Sequence, residues 1–179
     1  MQGVAEVTSP QQLVDCSSYT GNNGCGGGWY WWAWDYLKTH TANTEASYPY
    51  KAVDGSCKYV ESNGNITVNT YAAITSKSTS ALLSALDSYP LSVAIQADQY
   101  FQTYSSGVLM NNHCGTRIDH AVVAVGYGTT STGVQYIIVQ NSWGTSWGNN
   151  GFIWLEALAS SRSGTCGINE YPYVVTPNP

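Results

Sequence analysis

Charge is scarce in this chain. Only 9% of its residues are Asp, Glu, Lys or Arg, where an ordinary soluble domain carries roughly 25%. The charge present leans acidic, with 11 acids against six bases and a formal net charge of −5. That balance excludes polyanionic partners: neither nucleic acid nor an anionic membrane surface is expected to bind it. Long apolar runs are absent too. No segment approaches the ~18 uninterrupted apolar residues of a membrane span, and the best runs, around 121–125 and 136–139, have the length of strands. The first residues, Met1-Gln2-Gly3-Val4-Ala5-Glu6, carry neither the basic nor the apolar stretch of a secretory leader. No C-x-x-C pair, Walker loop or G-x-S-x-G elbow occurs, and Gly126-Tyr127-Gly128 lacks the third glycine of a dinucleotide loop. Neither a metal nor an organic cofactor is therefore expected.

What remains is a chain of 179 residues, 43% apolar and 13% aromatic, too rich in core-forming side chains to be disordered. Its size suits one sizeable domain or two small lobes. Five cysteines stand among many Tyr, Ser, Thr, Asn and Gly residues, which points to disulfides and an oxidising compartment. Five is odd, so one cysteine lacks an internal partner. It is a reactive thiol, half of an intermolecular bridge, or the witness to a missing piece of chain. With no leader ahead of disulfide-type cysteines, Met1 is not expected to be the biological start.

Patterning changes along the chain. Pro10–Asp15 reads as a short helix with proline at its start. After glycines 24–28, the apolar positions 29, 32, 33, 36 and 37 fit one face of a helix over 29–38. Residues 41–70 are polar and turn-rich. A further helix is expected over 79–88, with Ser78, Thr79 or Ser80 as its cap. Strands are then expected over 91–97, 121–127, 135–140, 151–155 and 171–175, separated by Gly, Asn and Ser turns. Helices first and antiparallel-type strands afterwards imply an α+β fold in two lobes. The seam is expected at 70–75, dividing a partial helical lobe, 1–72, from a β-rich lobe, 73–179.

Three histidines differ in context. His40 ends a helix in a Thr-rich turn and His113 lies in the polar turn Asn111-Asn112-His113-Cys114, both structural settings. His120 opens an apolar strand in Asp119-His120-Ala121-Val122. That segment is followed by Gly126-Tyr127-Gly128 and by Gln140-Asn141-Ser142-Trp143-Gly144-Thr145-Ser146-Trp147-Gly148. Upstream stand Ser9-Pro10-Gln11-Gln12-Leu13-Val14-Asp15-Cys16, Gly24-Cys25-Gly26-Gly27-Gly28 and Tyr48-Pro49-Tyr50 with Cys57; Cys166-Gly167-Ile168 closes the series. In this order the motifs resemble those of the papain family of cysteine peptidases, cathepsin L-like members included, and the resemblance covers nearly the whole chain.

The resemblance implies a papain-like two-lobed fold and a Cys-His-Asn peptidase. In it His120 is the base and later the acid, Asn141 accepts a hydrogen bond from the other ring nitrogen, and Trp143 shields that contact from water. Trp147 would pack beneath. Gly27 and Gly28 match the positions that bind substrate backbone, while Trp29, Tyr30, Ala94, Ile118 and Ala121 match those that line the pocket for the P2 side chain. All five are apolar or aromatic, so a hydrophobic or aromatic P2 residue is expected. The bridges implied are Cys16–Cys57 and Cys114–Cys166, with Cys25 left unpaired. The papain-type nucleophile lies roughly 130–150 residues before the His and Asn, and no cysteine precedes Cys16. Cys25-Gly26-Gly27-Gly28-Trp29 mimics the nucleophile segment but follows the Cys16 block, so it matches the family's second glycine block instead. The chain is thus expected to be the C-terminal part of a peptidase, inactive alone, its oxyanion-binding Gln absent with the nucleophile. Implied partners are a peptide or protein substrate, protein inhibitors and a propeptide; implied locations are lysosomal, vacuolar or extracellular. A non-catalytic homologue that binds peptides is the alternative, and a carbohydrate platform built on the Trp and Tyr residues is the weakest reading. Asn65-Ile66-Thr67 is an N-glycosylation acceptor sequence in a polar stretch.

Overall fold

A computed structural model describes residues 7–157 and 160–178; the expectations for Met1–Glu6 lie outside the described residues. The chain divides into two compact units, one of residues Met1–Tyr71 with Val175–Pro179 and one of Ala72–Val174.

In the first unit, α1 spans Pro10–Cys16. The Ser9 hydroxyl accepts the Gln12 N–H at 3.1 Å, and Pro10 takes the first-turn position where a missing N–H costs nothing. Helix α2 spans Tyr30–Leu37, one residue shorter at each end than the expected 29–38. Two short stretches pair antiparallel, β1 (Ala42–Asn43) with the start of β2 (Gly64–Ala73). Ala42 faces Ile66 and Asn43 faces Gly64, so Asn65 is the extra residue of a β-bulge. The polar stretch read as turns therefore contains a ten-residue strand. Only Val68 of it is buried, so no alternation betrays it. Polar side chains do much of the packing here. Gln12, 1% exposed, donates to Tyr36 Oη at 3.0 Å and to the Thr41 carbonyl at 2.9 Å, and accepts from the Asn43 N–H at 2.7 Å. Asp15 accepts from Gln11, the Gly55 N–H and Tyr48 Oη, each at 2.8 Å. A Cys16–Cys57 disulfide ties α1 to the loop before β2.

The second unit is built on an apolar sheet. Ser78 caps α3 (Thr79–Leu86) by accepting the Ala81 N–H at 3.2 Å. Strands β3 (Leu91–Ile95), β5 (His120–Thr129), β6 (Gln135–Gln140) and β7 (Phe152–Glu156) form successive antiparallel pairs. β8 (Tyr173–Asn178) joins β3 through Ser92 opposite Tyr173. The two-residue β4 (Val108–Leu109) adds to β7 in parallel, the one departure from antiparallel pairing among the described strands of this unit. Strict alternation buries one face: Val122 and Ala124 of β5, Ile137 and Val139 of β6, Ile153 and Leu155 of β7. Leu82 and Phe101, the latter on the short helix α4 (Gln99–Gln102), complete this core. Between β5 and β6 the pairing slips: Ala124 faces Val139 but Gly126 faces Ile138, leaving Val125 as an extra residue. A Cys114–Cys166 disulfide closes the unit.

The architecture is α+β, as the order of helical and strand patterns implies. Among the described residues no helix is long and apolar enough to cross a membrane.

Candidate active site

His120 begins β5, where it is registered against Ile95 of β3. The preceding residue holds this corner: the Asp119 N–H donates to the Ile95 carbonyl at 3.0 Å. Its carboxylate accepts the Ala97 N–H at 2.8 Å. Asn141 follows the last residue of β6, and its N–H donates to the Gly151 carbonyl at 3.0 Å. The two side chains meet, His120 Nε2 lying 2.8 Å from Asn141 Oδ1. The same Oδ1 accepts the Ser142 N–H at 2.8 Å. A backbone N–H only donates, so the atom it meets is the amide oxygen. An oxygen in turn requires that Nε2 carry the proton. The neutral ring is thereby held as the Nε2–H tautomer, with its lone pair at Nδ1. Nδ1 is the nitrogen that can take a proton from a substrate or nucleophile.

Aromatic rings enclose this pair. The Trp143 indole stacks on the imidazole with ring centres 5.0 Å apart and planes 27° from parallel. Phe101, wholly buried, stands edge-on to both, 6.2 Å from His120 and 5.7 Å from Trp143. Trp147 backs Trp143 at 5.3 Å and donates its indole N–H to the Gln102 carbonyl at 2.9 Å. The His–Asn contact is partly buried among these rings, and the reduced access of water lowers the local dielectric and strengthens it. Phe101 reaches this place because Asp98 caps α4, accepting the N–H groups of Tyr100 and Phe101. Gly148 permits the tight approach of the Trp147 turn: its φ is +58°, and a Cβ there would stand 2.6 Å from the Phe152 carbonyl oxygen.

Among the pocket positions of this unit, Ala94 and Ala121 face each other across β3 and β5. Ala121 is exposed, whereas Ala94 is 1% exposed and offers almost no surface. Ile118 is half-buried over Gly167.

The first unit carries the glycine block. Gly27, at φ +101°, spends its backbone on the local turn, its carbonyl accepting from Asn23 at 2.8 Å and its N–H donating to Gly24 at 3.2 Å. Gly28 differs. Among the described residues no hydrogen bond engages its N–H or carbonyl, and it is exposed. A side chain could not replace its hydrogen, because a Cβ would run into Asn22 Oδ1. Asn22 is itself fixed, accepting the Trp29 N–H and donating to Ser17 Oγ, both at 2.9 Å. Trp29 and Tyr30 are half-buried in an aromatic group in which Trp29 stacks on Trp31 at 4.3 Å. Cys25 is exposed and unpaired. Its N–H donates to Asp54 Oδ1 at 2.6 Å. Desolvation, then the carboxylates of Asp54 and Asp15, hold its thiol above the ordinary cysteine range. A nucleophilic cysteine needs the opposite environment.

His40 and His113 stand apart from His120. His40 stacks on Tyr36 at 4.4 Å and His113 packs against Tyr100 at 5.0 Å. Among the described residues no group of three or more His, Cys, Asp or Glu side chains is placed to hold a metal ion. Phe101 and Asn22 also shape these sites, and motif matching passed them by; Asp119 stood in the His120 motif with no role of its own. The Asp98 cap ahead of Phe101 was the available sign of the first, and Asn22 lies within reach of the glycine block it supports.

The sequence profile of the papain family cysteine proteases matches residues 2–176. The chain belongs to the papain family of cysteine proteases. It is 46% identical to cysteine proteinase COT44 of Brassica napus over 178 residues, covering 96% of this chain and 53% of that protein. It is likewise 46% identical to digestive cysteine proteinase 3 of Homarus americanus over 168 residues, covering 92% of this chain and 51% of the other. In three dimensions it matches the bromelain protease of Ananas comosus, solved in complex with the E64 inhibitor, with a TM-score of 0.89 at 38% identity. That match covers 98% of this chain and 80% of bromelain. The chain thus spans about half the length of these curated relatives.

Proposed function

We propose that these residues supply the acid–base half, and part of the peptide-binding surface, of a cysteine endopeptidase. The observation that carries the proposal is His120, oriented by Asn141 at 2.8 Å and roofed by Trp143. His120 Nδ1 takes the proton of a cysteine thiol and returns it to the leaving amine; Asn141 keeps the ring aimed during both transfers. The free backbone groups of Gly28 bind an extended peptide, with Gly27 beside it keeping the approach open. Trp29 and Tyr30 of the first unit, and Ile118 and the exposed Ala121 of the second, are each apolar or aromatic, which supports a preference for a hydrophobic or aromatic P2 side chain; Ala94, almost wholly buried, packs behind the surface of its own unit.

The attacking cysteine is not among these residues. Cys16, Cys57, Cys114 and Cys166 are consumed in disulfides, and Cys25 has the wrong electrostatics. The proposal places the nucleophile, the oxyanion donors and a bridge partner for Cys25 in a preceding segment. Loss of a triad nucleophile costs on the order of 10⁶ in rate, so the 179-residue chain is proposed to be inactive alone. The whole protein takes peptides or proteins as substrates, with protein inhibitors and a propeptide as further ligands; a relative's complex with E64 supports an inhibitor-accessible site. Two disulfides support a lysosomal, vacuolar or extracellular setting.

The test is a peptidase assay of the purified chain, alone and joined to the matching N-terminal segment of a papain-family relative. The chain alone is expected to give no turnover. The joined form is expected to cleave peptides that carry a hydrophobic residue at P2 and to lose that activity in His120→Ala. Turnover by the chain alone overturns the proposal, and a preference for P2 Arg overturns the substrate assignment. Peptide binding without turnover by the joined form favours the non-catalytic homologue.

A further inference from the structure

Asn65-Ile66-Thr67 plays no part in the proposed chemistry, yet the backbone singles it out. The residue is the extra one in the β1–β2 bulge, between Gly64 opposite Asn43 and Ile66 opposite Ala42. A bulged residue is released from the ladder and its side chain is re-aimed. Asn65 is exposed, and no described residue forms a hydrogen bond with its amide. Gly64 ahead of it is a glycine by necessity, since a Cβ would run into the Ala42 carbonyl. The bulge is thus built into this corner. Beside Asn65 lies a hollow of about 290 Å³ lined by Thr44, Ser47, Ser62, Asn63 and Gly64. Hydroxyl, amide and backbone groups dominate that wall, and it contains no charged side chain and no large apolar one. Such a surface suits the hydroxyls and acetamido group of a sugar.

We infer that Asn65 carries an N-linked glycan whose first sugar rests against this hollow. In the transfer the amide nitrogen of Asn65 bonds to the anomeric carbon of a lipid-pyrophosphate-linked oligosaccharide. The bond from that carbon to the pyrophosphate oxygen breaks, the lipid pyrophosphate leaves, and the amide nitrogen gives up one proton. Thr67 completes the acceptor sequence at the position where Ser or Thr is required. The modification needs a chain that passes through a glycosylating compartment, which agrees with its disulfides. It does not rest on the peptidase reading.

The experiment is expression of the 179-residue chain behind a secretory leader in mammalian cells, with digestion by peptide N-glycosidase F in heavy-oxygen water. The expected result is a single downward mass shift on digestion, with residue 65 converted to heavy-oxygen-labelled Asp in the peptide map. Asn65→Gln and Thr67→Ala are expected to abolish the shift, and Thr67→Ser to keep it. Absence of the shift in the unaltered chain overturns the proposal, as does a labelled site elsewhere. The peptide map of the unaltered chain decides even if a variant fails to fold.

Discussion

The two units solve the problem of burial differently. In the second, the interior is a sheet face of Val, Ile, Leu and Ala closed by Leu82 and Phe101. In the first, the fully buried side chains include Gln11 and Gln12, with Ser9, Ser17 and Asn43 beside Cys16, Tyr36 and Tyr48. One unit draws on nondirectional apolar burial, the other on directional polar bonds, each useful only while its partners stay in place. The difference suits the roles proposed for them. An imidazole that moves a proton needs a rigid foundation, whereas a loop proposed to bind peptide backbone, such as Gly27–Gly28, needs only to be held at its ends.

Three substitutions test that contrast. The largest effect is expected from Phe101→Ala, which empties the apolar core and removes the edge-on support of His120 and Trp143. It should cost about 3–5 kcal/mol in denaturant unfolding. A loss near that expected for a surface residue would break the contrast. Next comes Gln12→Leu in the first unit. It keeps volume but strands the Tyr36 hydroxyl, the Thr41 carbonyl and the Asn43 N–H, at roughly 2–3 kcal/mol. Amide exchange should show the damage around α1 and β1 while β5 and β6 keep their protection. A gain in stability would mean that apolar burial governs this unit as well. The smallest effect is chemical. Asp54→Asn removes the nearest negative charge raising the Cys25 thiol, so alkylation by iodoacetamide at neutral pH should quicken. In the unaltered chain the rate should keep climbing past the pH at which an ordinary cysteine is already ionised. An unchanged rate would show that the carboxylate does not govern this thiol.

Legibility in the sequence followed the same division. The second unit is periodic, so its main strands could be read from alternation within a few residues of their ends. The pairing of His120 with Asn141 came from motif order, since strand periodicity alone does not say that residues 21 apart will touch. β2 was missed because only Val68 of its ten residues is buried, leaving no pattern to detect. β4 and α4, of two and four residues, are too short to have a period. Phe101 escaped notice because its role depends on which ring it lies against, which is a property of packing. The same holds for Asn22, whose side-chain Oδ1 occupies the space that a side chain at Gly28 would need.

The slip at Val125 has a consequence for how this chain tolerates insertion and deletion. Counting from the β5–β6 turn, the facing numbers sum to 264 as far as Gly126 and Ile138, and to 263 from Ala124 and Val139 onward. Deleting Val125 would close the ladder into regular pairing, with Gly126 still opposite Ile138 and Ala124 still opposite Val139. His120 would keep its register toward Asn141, and what is lost is the local bend and added twist that a bulge gives its strand. The bulge is thus a spare residue in the frame. With it gone, one more deletion would shift His120 by one position, about 3.4 Å, and turn its side chain to the other face.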